Sequence, residues 1–113
     1  MTDTEKVATL ARFMGWHMRN NYAHYSGEEL PGWYRDDGVL MFRVENWNPI
    51  TDWNDWRMVE ERLAQNEELL WKFIYAIEGM EREGDPETIA FYIQQVSLEQ
   101  RVDALISVLP PTV

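Results

Sequence analysis

The chain has 113 residues, with twenty acids against ten bases for a net charge of −10, and no cysteine. That length fits one domain, residues 1–113, able to bury roughly 65 % of the surface its unfolded chain exposes. The missing thiols exclude a disulfide framework, a thiolate zinc site and a cysteine nucleophile, and the negative balance argues against a broad basic face for DNA or RNA. No apolar run approaches the ~20 residues of a membrane span. The opening MTDTEKVATLARF has acids where a signal peptide has bases, so a cytosolic protein is expected. The charge is uneven: residues 1–50 carry −2 and residues 51–113 carry −8. Solubility explains such a surface, and so does attraction to a basic partner.

In chain order, residues 3–14 are predicted to form a helix. Val7, Leu10, Ala11 and Met14 fall at i, i+3, i+4 and i+7, Thr2 and Glu5 have capping-box spacing, and Gly15 supplies a stop. The next stretch is aromatic and irregular, with strand-like WYR and VLMFRVE runs separated by Asp36, Asp37 and Gly38, where glycine can take the positive φ of a tight hairpin. A small antiparallel meander from about Trp16 to Glu45 is expected. Asn48-Pro49 ends the extended run, and Thr51 or Asp52 caps a helix through about Gln65. In that helix Trp53, Trp56, Val59 and Leu63 form the apolar stripe that docks it, while Arg57, Glu60, Glu61 and Arg62 form the wet side. Residues 66–83 keep a helical period, yet WKFIYAI is rich in strand-favouring residues, as is TIAFYIQQV. On propensity and the polar connector MEREGDPE, a hairpin of residues 71–78 with 89–96 is expected. Ser97 and Gln100 open a last helix with Leu98, Val102, Leu105 and Leu109 as its stripe, ended by Pro110-Pro111. The expected class is α+β, in the order helix, meander, helix, β-hairpin, helix.

FMGWH, the aromatic meander, NWNPITDW and SLEQRVDALISVL stand in an order and spacing that resembles small phage and prophage proteins with the phage ABA-sandwich domain. The matching points are Gly15-Trp16 closing the first helix, and Asn48-Pro49 with Thr51-Asp52 opening the second. Ile50, where a small polar residue is usual, and Trp53, heavier than expected near the helix start, depart from the pattern. The resemblance implies an α/β/α-type sandwich, a phage context and the host cell cytoplasm as its place of action. It implies no particular activity and identifies no site residue.

His17 and His24 are the only histidines, and no carboxylate stands at a recognised metal-ligand spacing from either. Asp36 and Asp37 could serve a small metal-dependent hydrolase, but adjacent acids beside Gly38 are better explained as turn formers. Ser26 lacks the G-x-S-x-G elbow, and no phosphate loop is present. A non-catalytic protein without a cofactor is therefore expected.

The aromatic and arginine set carries more chemistry. Rings interleaved with arginines could line a cleft where a base stacks and guanidinium groups hold its phosphates, base stacking being worth about 1 to 3 kcal/mol. The ligand contacts selected are Trp33, Tyr34, Arg35, Arg43, Trp47 and Arg57. The opposing reading is that the rings are core, since each buries about 150 to 250 Å2. Two binding modes follow for a counter-defence protein. One sequesters a small nucleotide ligand, in a pocket that a homo-oligomer could complete. The other occupies the basic nucleic-acid-binding groove of a host defence protein as an acidic inhibitor.

Overall fold

The computed structural model describes residues 1–22, 29–78 and 96–110. Among them are four α-helices and one three-stranded antiparallel sheet, an α+β architecture. Helix α1 spans Asp3–Phe13 and opens with the expected capping box. The Glu5 N–H donates to the Thr2 hydroxyl at 3.2 Å, and the Glu5 carboxylate accepts from the Thr2 N–H at 3.1 Å. These bonds hold the Glu5 carboxyl below the usual glutamate value. Gly15, at φ +84°, reverses the chain so that the Trp16 N–H reaches the Ala11 carbonyl at 3.0 Å, turning the backbone directly into the sheet.

Strands β1 (His17–Tyr22), β2 (Glu29–Tyr34) and β3 (Leu40–Arg43) form the meander in sequential order. Met18 and Phe42 flank Trp33 across the sheet, which places the three on one face. The register shifts between Trp33 and Tyr34, where the tight turn Asp36–Gly38 brings the chain back. Gly32 is required by close approach: a Cβ there would stand 2.6 Å from Leu40 Cδ1 and 2.9 Å from the Phe42 carbonyl oxygen. Gly32→Ala should therefore destabilise the β2–β3 pairing by about 1 to 3 kcal/mol. A chemical-denaturation midpoint matching the parent's would show that β3 can shift freely.

After a 3-10 turn at Val44–Asn46, helix α2 (Trp53–Ala64) starts at Asp52, whose carboxylate accepts from the Asn54 and Asp55 N–H groups. Trp56, Val59 and Leu63 are buried as the stripe requires. Trp53 is not: it is 47 % exposed, with the Arg101 guanidinium 5.2 Å from its ring. Its place at the first helical residue puts it on the rim, and the docking role expected of it falls to Trp56. The Trp56 ring meets Phe73, at 6.3 Å between centroids.

The strand expected at 71–78 is instead the body of helix α3 (Glu67–Glu78). Asn66 decides this locally, because its side-chain oxygen accepts the Leu69 N–H at 3.1 Å and its carbonyl accepts the Leu70 N–H at 2.9 Å. With that start fixed, Leu69, Phe73 and Ile74 bury as one helical face, and period overrides the β propensity of WKFIYAI. The hairpin's second strand, at 89–96, lies outside the described residues except for Val96. Helix α4 (Leu98–Val108) packs on α3 and α1, with the Ser97–Gln100 capping box formed. Ser97→Ala should cost about 1 kcal/mol, read as a shift in the thermal midpoint.

Candidate functional site

The six ligand contacts read from the sequence do not assemble. Trp33, Tyr34 and Trp47 are buried, whereas Arg35, Arg43 and Arg57 are exposed. Arg35 is held by Asp37 at 2.7 Å, which raises the guanidinium's pKa and keeps the Asp37 carboxyl below the usual aspartate value. Arg43 stands 3.6 Å from Glu45. The arrangement does bring Trp33 and Trp47 together: both line a cleft of about 290 Å3 between the sheet and the first two turns of α1.

Local sequence builds each wall. Asp3, Thr4, Val7 and Ala8 come from α1, one turn apart on its inner face, and Met18 and Trp33 come from neighbouring strands in register. Val44, Glu45, Trp47, Asn48, Ile50 and Thr51 come from the connection into α2. This connection is fixed by hydrogen bonds. The Asn48 N–H donates to the Asp55 carboxylate at 2.8 Å, the Asn48 carbonyl accepts the Asp52 N–H at 3.0 Å, and the Asn48 side chain accepts from Ile50 at 3.3 Å. Pro49 is fully buried, so the turn cannot swing out. Trp47 is thus pinned, with Trp16 edge-on at 4.9 Å and Phe42 at 6.4 Å.

One feature of this wall is not ordinary packing. Trp33 and Trp47 are 3 % and 1 % exposed, and their indole Nε1–H groups are out of contact with solvent and have no hydrogen-bond partner among the described residues. Buried donors are nearly always satisfied, and leaving one unpaired costs roughly 1 to 3 kcal/mol. Two orphaned donors on rings lining the same cleft mark a place where acceptors are wanted. Trp56 provides the contrast, since its indole N–H donates to the Glu60 carboxylate.

The electrostatics of the neighbourhood are acidic. Among the described residues, Asp3 and Glu45 line the cleft without any lysine or arginine. An adjoining groove shares Asp3, Ile50 and Thr51 and adds Lys6, Glu99 and Val102. Lys6 bonds Asp103 at 2.8 Å, which raises its pKa, with Asp3 and Glu99 reinforcing the effect against partial desolvation. The seam between α1 and α4 therefore carries three carboxylates around one ammonium group.

Elsewhere His17 Nε2 stands 2.6 Å from Asp36 Oδ1, with both side chains exposed beside the hairpin turn. His24 lies outside the described residues. Among those residues no group of three or more His, Asp or Glu side chains is placed to hold a metal ion. No helix among them is long and apolar enough to cross a membrane. Asp3, Thr4, Val7, Ala8 and Met18 were not legible as site residues, because an amphipathic period shows which face of α1 is buried and not which element it covers. Comparison of the chain with family models, curated proteins and solved structures finds no match.

Proposed function

We propose that the protein is a non-catalytic binding protein that sequesters a small ligand in the cleft beneath α1. The observation supporting this reading is that Trp33 and Trp47, two rings that line that cleft, each hold a buried indole N–H without a partner among the described residues. A ligand presenting acceptors there would relieve both donors, and rigid aromatic walls would add contact area at little entropic cost. The reading keeps Trp33 and Trp47 of the expected aromatic and arginine pocket and releases Tyr34, which does not line the cleft, together with the arginines, which are exposed, with Arg35 and Arg43 facing carboxylates. In the phage setting suggested by the sequence resemblance, such capture would disarm a host defence signal in the host cytoplasm.

A second reading is an acidic inhibitor seated in the basic groove of a host defence protein, favoured by the carboxylates of Asp3, Glu99 and Asp103 around Lys6. The two differ in salt response, because exposed charge pairs weaken as the Debye length shrinks to about 8 Å at physiological ionic strength. Native mass spectrometry of the protein purified from the cells in which it acts separates them. A retained small molecule, one per chain, is expected. A bare chain that instead carries a host polypeptide released by salt would overturn the sequestration reading in favour of the second.

A further inference from the structure

We infer that the occupant of the α1 cleft is an uncharged, nucleobase-sized heterocycle whose ring carbonyl or imine groups accept from the Trp33 and Trp47 indoles. The inference rests on the sequestration reading and specifies its ligand. Three features of the cleft select this class. Its volume of about 290 Å3 lies at the lower edge of the roughly 300 to 1,000 Å3 range of small-molecule pockets, which suits one or two fused rings.

Among the described residues, its charged lining groups are Asp3 and Glu45. A phosphate would meet two carboxylates, of which Glu45 alone has a cation beside it, Arg43 at 3.6 Å, so the nucleotide's anionic part is disfavoured where its base would be accepted. Finally, the two polar groups in need of partners are both donors, which calls for acceptors on the ligand. Val7, Val44 and Ile50 supply apolar contact for the faces of a flat ring.

Neither indole nitrogen meets solvent, so the ring must displace a lining side chain to reach them. Met18 is suited to yield, being 53 % exposed, unbranched and on edge strand β1. Recognition then resembles the reading of a base edge by fixed donors, with specificity from the spacing of the two indoles. A pocket that must open to admit its ligand also predicts slow association relative to a preformed one.

Isothermal titration tests this with uracil, adenine, UTP and ATP as probes. One of the two free bases should bind at one per chain, with affinity falling in the matching phosphorylated form. Trp33→Phe and Trp47→Phe keep a buried ring while deleting one donor, and each should weaken binding about tenfold. Because either could perturb the core, Ala8→Leu is the second variant: it fills the cleft from α1, leaves both indoles in place and should abolish the heat of binding.

A triphosphate binding more tightly than its free base, or bases binding Ala8→Leu as well as the parent, would overturn the inference while leaving sequestration standing. So would silence toward both bases if the purified protein carries a small molecule of another class. Silence toward all four probes, with a purified chain free of small molecules, would overturn both.

Discussion

Trp56→Ala should lower the stability of the chain by about 3 to 5 kcal/mol, the usual cost of truncating a buried large aromatic residue. Trp56 is fully buried at the centre of a cluster that draws on α1, the sheet and the other helices. Its ring packs against Phe73, and its N–H is satisfied by Glu60. Alanine would remove the aromatic contact and leave a cavity that Val59 and Leu63, fixed on the same helix, cannot close. For a chain of this size the thermal midpoint should fall by roughly 10 to 20 °C. A midpoint within a few degrees of the parent's would mean that α2 is not anchored through this residue.

The second large effect is expected at Glu60. Its carboxylate accepts from Trp56 and from Arg101, the latter at 2.6 Å, and Arg101 also donates to the Val96 carbonyl at 3.2 Å. Arg101 is only 8 % exposed, so Glu60→Ala removes both the acceptor of a buried indole and the carboxylate opposing a buried cation. Removing one partner of a fully buried pair costs about 3 to 5 kcal/mol, and the partial exposure of Glu60 reduces this to about 2 to 3 kcal/mol. Glu60→Gln should fall between the parent and Glu60→Ala, since an amide oxygen still accepts but carries no charge. In a double-mutant cycle, Arg101→Met with Glu60→Ala should cost less than the sum of the two single changes. Additive losses would show that the two side chains act independently.

These two sites show what was readable in advance. Trp56 was legible because its stripe repeats at helical spacing, and burial follows directly from that period. Glu60 was assigned to the wet side by the same logic, since a wheel sees residue type and cannot see a cation arriving from α4. A local signal did exist: Arg101 lies three residues after Leu98 and beside Val102, within the apolar face of its own helix, where a charge must find a partner.

Helix starts were clear from side-chain chemistry at Thr2, Asp52 and Ser97 because capping is local. The start at Asn66 carries the same signal, but the β propensity of the residues that follow competes with it, and by propensity alone the α3 segment reads as a strand. Trp53 failed for a related reason, because a stripe's first member can protrude beyond the neighbouring element.

The candidate site was half legible. The sequence drew attention to Trp33 and Trp47 as aromatic residues near arginines, and the fold joins the rings without the arginines. What unites them is long-range: β-sheet register places Trp33 beside Met18 and Phe42, and the Asn48–Asp55 clamp delivers Trp47 to the same cleft. No spacing within the chain encodes that meeting. Nor does composition distinguish an indole whose N–H is satisfied, as in Trp56, from one whose N–H is orphaned.

The central claim concerns where a ligand sits, and the indole N–H resonances of the six tryptophans report on it directly. The measurement is the two-dimensional spectrum of the wild-type protein before and after addition of a small-molecule extract of the cells in which it acts. Deletion of single peaks in Trp33→Phe and Trp47→Phe provides the assignment. The account predicts that these two peaks move downfield together as their donors acquire acceptors, while those of exposed Trp53 and Trp71 stay in place. Movement confined to Trp53 and Trp71, with the Trp33 and Trp47 signals unchanged, would contradict it.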